Sequence, residues 1–178
     1  MSRIKIHDKY FESFITESQL DDAISVMAEK LNNEMAGKTP VFLAILNGSF
    51  MFASDLLKNI TIPCEISFVK FSSYSGTSST QNLTELIGLD ENLKGRSIVI
   101  VEDIIDSGFT LQKVLEKLYI MEVKEVFIAT LLFKPEAFKM SYPIDLIGIE
   151  IPNDFIVGYG LDYDKLGRNL KNIYKIVE

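Results

Sequence analysis

Residues 98–110 read Ile98-Val99-Ile100-Val101-Glu102-Asp103-Ile104-Ile105-Asp106-Ser107-Gly108-Phe109-Thr110. Four consecutive β-branched apolar residues describe a strand buried on both faces. Two adjacent acids are expected to end it at Glu102 and Asp103. Acids at the end of a buried strand are costly unless they gain partners. Hydroxyl groups of a sugar are suitable donors, and a hard cation such as Mg²⁺ is a second suitable partner. A third acid, Asp106, then opens a small turn that leads into a helix. Unpaired backbone N–H groups at such a helix start attract an anion, the Ser107 and Thr110 hydroxyls add donors, and Gly108 permits close approach. The plain alternative is a capped helix start with Asp106 as N-cap. The order of strand, paired acids and D-S-G-x-T turn is more specific than a lone glycine loop.

On either side of this stretch, strands alternate with helical segments. Leu20, Ile24, Met27, Leu31 and Met35 recur at helical spacing and predict a helix over about 17–36. Thr16 and Gln19 fit a capping box at its start, and Gly37 fits its stop. Val41 to Leu46 reads as a buried strand, Asn47-Gly48-Ser49 as a turn, and Phe50 to Leu57 as a helix. Cys64 to Phe71 and Leu83 to Leu89 predict two strands of a long hairpin, because eight of the twelve residues 71–82 are Ser, Thr or Gly. Leu111, Val114, Leu115 and Leu118 share one helix face, Val126 to Phe133 is a further apolar strand, and 144–149 and 155–159 are shorter strand candidates. This alternation predicts an α/β fold with a parallel, doubly wound sheet. Ligands of such sheets bind at the carboxyl ends of the strands, so the turns after Leu46, Val101 and Phe133 are expected to meet.

A length of 178 residues and 47% hydrophobic content fit a single domain over 1–178 with a sizeable core. The net charge of −7 argues against a nucleic-acid partner, which requires clustered Lys and Arg. No apolar run is long enough to span a membrane, and the charged N-terminus is not a signal peptide, so a cytoplasmic protein is expected. The one cysteine, Cys64, excludes an internal disulfide or a multi-cysteine zinc site and fits a reducing compartment. The one histidine, His7, lies among polar residues, which argues against Cys–His and Ser–His mechanisms.

The run Val101 to Thr110 resembles the phosphoribosyl pyrophosphate motif of the type I phosphoribosyltransferases at every characteristic position. The block Glu150 to Tyr163 is closely similar to the base-binding segment of the hypoxanthine-guanine branch. The likeness extends over about residues 40–175, and the first forty residues carry no motif. It implies the type I fold: a central parallel sheet flanked by helices, with a small hood and a flexible hairpin lid. It also implies transfer of a phosphoribosyl group to a 6-oxopurine, with Mg²⁺ as cofactor and assembly as a homodimer or homotetramer.

The resemblance carries roles residue by residue. Glu102 and Asp103 hold the ribose hydroxyls and the metal, Asp106 is the general base, and residues Asp106, Ser107, Gly108, Phe109 and Thr110 bind the 5′-phosphate. Asn47 and Gly48 bind pyrophosphate through the backbone, together with Arg168. Several members have Lys where Asn47 stands, so here that binding leans further on the backbone. Ser73 and Tyr74 belong to the lid. Lys134 contacts the purine O6, and as a donor-only group it favours a 6-oxo over a 6-amino purine. Phe155 stacks on the base, backbone groups around Asp154 and Ile156 read its edge, and Asp162 completes the base site and binds a second Mg²⁺. Each residue also has a plainer reading: a turn at Asn47-Gly48, a solvated hairpin tip at Ser73-Tyr74, a solvent-reaching Lys134, a core Phe155, a turn Asp162, a surface Arg168.

Two rivals remain open: the same chemistry on xanthine or another base, and a regulator that senses phosphoribosyl pyrophosphate without turnover. A Rossmann-type binder is disfavoured, since no G-x-G-x-x-G run follows an early strand.

Overall fold

The computed structural model describes residues 3–73, 83–87 and 92–177. The chain runs β1 (Arg3–Ile6), β2 (Lys9–Ile15), α1 (Glu17–Glu34), β3 (Val41–Leu46), α2 (Phe50–Lys58), β4 (Glu65–Ser73), β5 (Leu83–Ile87), β6 (Ser97–Ile105), α3 (Phe109–Ile120), β7 (Glu125–Phe133), β8 (Leu146–Glu150), β9 (Ile156–Val157) and β10 (Ile173–Val177). Six strands form one sheet in the order β5-β4-β3-β6-β7-β8, parallel throughout except for β5, which pairs antiparallel with β4. A second sheet, β1-β2-β10-β9, is the hood.

The apolar runs give the central sheet its two packed faces. Phe42, Ala44, Val99, Val101 and Ala129 pack with Leu20, Ile24, Met27 and Leu31 of α1 and with Phe52 and Leu56 of α2. Leu43, Ile98, Ile100 and Ile128 pack with Leu111, Val114 and Leu118 of α3. The capping box is present: Gln19 donates its backbone N–H to the Thr16 hydroxyl, and the Thr16 N–H reaches the Gln19 side chain at 3.0 Å.

Four expectations are revised. β6 does not stop at Val101 but continues to Ile105, because its pairing with β7 runs on through Glu102 opposite Thr130 and Ile105 opposite Phe133. Both acids therefore lie inside the strand. α3 begins at Phe109 with Gly108 as N-cap, so Asp106 is not its cap. The strand expected over 155–159 is only Ile156–Val157, since Gly158, Tyr159 and Gly160 follow with φ of 108°, 48° and 98° and turn the backbone out of extension. The hood strands β1, β2 and β10 had no counterpart among the elements expected from the sequence; they bury Ile6, Phe11 and Tyr174 in a small core of their own.

The hood is pinned to the main sheet at the buried Tyr159. Its hydroxyl donates to Asp55 of α2 at 2.6 Å, and its backbone N–H donates to the Leu170 carbonyl at 2.8 Å. Burial and the Asp55 hydrogen bond push the Tyr159 phenol well above its ordinary pKa. Hydrogen bonds to charged groups contribute about 1.5–3 kcal/mol, less where the acceptor is partly solvated. Tyr159→Phe is therefore expected to lower unfolding stability by about 1–2 kcal/mol in urea titrations, with an unchanged m-value.

Candidate active site

The carboxyl ends of β3, β6 and β7 converge. Gly108 occupies the left-handed region at φ 85°, and a Cβ there would collide with Met140, Phe138 and the Tyr142 hydroxyl. The segment after β7 thus backs the D-S-G-F-T turn directly. Tyr142 donates to the Gly108 carbonyl at 2.7 Å, and the Lys139 N–H donates to the Ser107 carbonyl at 3.2 Å. In front of this support lies a concave pocket of about 100 Å³ lined by Glu102, Ile104, Ile105, Asp106, Ser107, Gly108, Phe109, Thr110 and Leu111. Phe109, which lines the pocket, is partly exposed. Tyr142 was not singled out by the sequence, because the carbonyl it holds is 34 residues away.

Glu102 and Asp103 are both buried, each 8% exposed. Glu102 lines the phosphate-sized pocket, whereas Asp103 faces Gly48, whose missing Cβ would overlap the Asp103 carboxylate. Burial, and then the charge of Asp103, push the Glu102 carboxyl well above its usual range. Burial pushes Asp103 up to about 6, offset in part by its own backbone N–H, that of Ile104 and the charge of Arg168. Burial and the Glu102 charge raise the Tyr142 phenol to about 12. Among the described residues, no hydrogen-bond donor reaches the buried Glu102 Oε2. Such an oxygen fits a group that brings donors or positive charge.

No cluster of three metal-ligating side chains occurs among the described residues. Glu102 and Asp103 carry the carboxylate oxygens that could hold a hard dication such as Mg²⁺, which is commonly bound through one or two carboxylates and keeps several waters.

Asp162 and Arg168 lie near enough to Asp103 for their charges to act on it. Arg168 forms a 2.5 Å ion pair with Asp162 Oδ1 and donates to the Gly160 carbonyl at 2.6 Å. Asp162 Oδ2 accepts from the Lys165 N–H at 2.7 Å. Gly160 lies against the Gly48 carbonyl so closely that a Cβ would overlap it. The expected pyrophosphate residues Gly48 and Arg168 are therefore brought to the buried acids, with Asp162. The Leu46–Asn47 peptide is cis.

Lys134, 7% exposed, follows β7, and its Nζ donates to Asp106 Oδ2 at 3.0 Å. Phe155 makes its ring contacts inside the hood, with Phe11 and Tyr163, and remains 46% exposed. Its carbonyl accepts from the Ile176 N–H at 2.9 Å, and Ile156 beside it pairs with Lys175. Asp154 is half-buried at the start of this segment. Of the expected lid residues, Ser73 ends β4, while Tyr74 lies outside the described residues.

The buried acids make a stability prediction for the protein without ligand or metal. Asp103 has a folded pKa of about 6 against an ordinary 3.8. Between those values the folded state holds a proton that the unfolded chain has released, so stability falls as pH rises through this window and stays reduced above it. Asp103→Asn is expected to stabilise the metal-free protein by roughly 1–3 kcal/mol at neutral pH. The gain should shrink as pH falls through this window and be gone below about pH 3, where both states are protonated, as read from thermal unfolding across pH.

The chain matches the phosphoribosyl transferase domain family over residues 16–164. It is 40% identical over 169 residues to a hypoxanthine phosphoribosyltransferase of Salmonella typhimurium, covering 93% of this chain and 95% of the relative. It is 45% identical over 139 residues to the enzyme of the same name from Haemophilus influenzae, covering 77% of each. Its fold superimposes on a crystal structure of a Bacillus anthracis hypoxanthine-guanine phosphoribosyltransferase with a TM-score of 0.88 at 36% identity, covering 93% of this chain and 98% of that one. Sequence, fold and the geometry of the converging strand ends agree, and this chain belongs to the phosphoribosyltransferase family.

Proposed function

We propose that this protein acts in purine salvage, transferring the phosphoribosyl group of phosphoribosyl pyrophosphate to hypoxanthine, and to guanine, to give IMP or GMP and pyrophosphate. The Lys134–Asp106 pair carries this reading. A buried ammonium and a carboxylate stand 3.0 Å apart at the edge of a phosphate-sized pocket. O6 and N7 lie on one edge of a 6-oxopurine, so one donor and one proton acceptor side by side suit that edge. A 6-amino purine would set its own N–H groups against the ammonium, which has no acceptor.

In this reading the D-S-G-F-T turn holds the 5′-phosphate, with Tyr142 fixing the turn from behind. Glu102 and Asp103 take the ribose hydroxyls, and Gly48, Asn47 and Arg168 take the pyrophosphate. Mg²⁺, held by Glu102 and Asp103 with Asp162 beside them, would neutralise the pyrophosphate oxygens as a Lewis acid. The bond from C1′ to the pyrophosphate oxygen breaks as positive charge develops at C1′, and the carboxylates nearby favour that charge. The C1′–N9 bond forms, and the proton on N7 passes to Asp106. The face of Phe155 stacks on the base.

The same proposal places the enzyme in the cytoplasm as one functional domain and a homo-oligomer. Ile66 and Phe68 support the last point: two residues apart on β4, they share a face and stay 41% and 40% exposed. Light scattering is expected to give a dimer or tetramer, and Phe68→Glu a smaller species.

The substrate reading is tested by turnover of hypoxanthine, guanine, xanthine and adenine, with and without Mg²⁺. Metal-dependent IMP and GMP formation with adenine inert is the expected result. Binding of phosphoribosyl pyrophosphate without turnover of any base would indicate a regulator instead. A positioned general base contributes about 10²–10⁴-fold. Asp106→Asn should therefore cut kcat by at least ~10²-fold with phosphoribosyl pyrophosphate binding largely kept.

A further inference from the structure

The N-terminal hairpin carries no motif, yet it reaches the wall of the base site. Phe155 presents an open face and is held from behind by two rings, Phe11 at 6.3 Å and Tyr163 at 5.8 Å in an edge-on arrangement. Phe11 on β2 is fully buried and also touches Tyr163, at 6.0 Å. Tyr163 in turn is gripped by the β1–β2 turn. Its hydroxyl donates to Asp8 Oδ1 at 2.7 Å, and the His7 ring packs edge-on against it at 5.7 Å. His7 Nε2 also reaches the Asp164 carbonyl at 3.2 Å. The two turns meet with left-handed residues on both sides, His7 at φ 50° and Asp164 at 47°.

We propose that the β1–β2 turn sets the stacking face of Phe155 through Asp8 and Tyr163, which makes Tyr163 a positioning residue for the purine. This rests on the reading that Phe155 stacks on the base. The Asp8 carboxylate fixes the tilt of the Tyr163 ring by its hydroxyl, and the edge of that ring limits rotation of Phe155. The hydrogen bond also holds the Asp8 carboxyl below its ordinary pKa. The ribose and phosphate residues do not share these contacts, so a loosened Tyr163 weakens base binding selectively. A purely structural role would instead lower stability and weaken both substrates together.

The test measures KM for hypoxanthine, KM for phosphoribosyl pyrophosphate, kcat and Tm. An edge-on aromatic pair or one exposed hydrogen bond corresponds to about a three- to tenfold change in affinity. Tyr163→Phe and Asp8→Ala should each raise the hypoxanthine KM about threefold, and Tyr163→Leu about tenfold, with the phosphoribosyl pyrophosphate KM unchanged. The Asp8→Ala/Tyr163→Phe double variant should be no worse than either single one, because both remove one interaction. Asp8→Asn keeps an acceptor oxygen and should restore the wild-type KM. An unchanged hypoxanthine KM in these variants, or both KM values rising in step, overturns the proposal. Phe155→Leu separates the two readings. If it leaves the hypoxanthine KM unmoved, the stacking role falls and the proposal with it; if it alone raises that KM, only the Asp8–Tyr163 link is wrong.

Discussion

Two ionisable carboxylates buried side by side in a central strand impose the constraint from which the rest of the site follows. Removing a carboxylate from water is expensive unless donors or positive charge replace the lost hydration. Asp103 recovers part of this from two backbone N–H groups and from Arg168, whereas Glu102 keeps an oxygen without a donor among the described residues. The fold accepts this unfavourable arrangement because the surrounding sheet is strongly overdetermined by apolar packing on both faces. Under the proposed reading, a ligand bearing hydroxyls, or a dication, would gain part of its binding energy by relieving that burial. Instability confined to a functional site, and compensated elsewhere, is a common cost of activity.

Close backbone approaches transmit the position of these acids to the neighbouring loops. Gly48 packs on Asp103, and Gly160 packs on the Gly48 carbonyl. Gly160 adopts φ 98°, so a side chain there would meet both a steric overlap and an unfavourable backbone conformation. Arg168 then closes the group by binding the Gly160 carbonyl and Asp162. The geometry on this side of the acids is set mainly by main chain, which is less adaptable than side-chain packing.

The central sheet was legible because its evidence is local. Val41 to Leu46 and Ile98 to Val101 are unbroken apolar runs, and the Thr16–Gln19 capping box is a four-residue signal. The D-S-G-F-T turn is equally compact, and the structure makes it the wall of a pocket. The continuation of β6 through Glu102 and Asp103 was not legible, since it depends on pairing with β7 and acids in a sequence look like a strand end. The hood escaped for a related reason. β2 reads Lys-Tyr-Phe-Glu-Ser-Phe-Ile with only Phe11 and Ile15 buried, and its partner β10 lies at the other end of the chain. Tyr159 and Tyr142 make contacts 104 and 34 residues away, beyond any local pattern. The closely spaced Gly158, Gly160 and Gly167 were the available hint that the backbone turns sharply there.

The division between sheet and hood has a chemical consequence. The D-S-G-F-T turn and the buried acids belong to the main sheet, while Phe155 packs with the hood, whose strands are β1, β2, β9 and β10. Bond formation between C1′ and N9 requires the base and the ribose to be held at near-contact distance, and small misplacement is costly in rate. If Phe155 stacks on the base as proposed, that distance depends on how the hood is seated. Among the described residues, the contacts that seat it include Tyr159 on Asp55, Gly160 on Gly48, and the Ile151 N–H on the Phe133 carbonyl at 2.8 Å. The last joins the segment after β8 to the end of β7, one residue before Lys134. Lys134 and the segment leading to Phe155 are therefore anchored to the same strand end, so under the proposed reading a displacement of the hood would disturb both contacts to the base together.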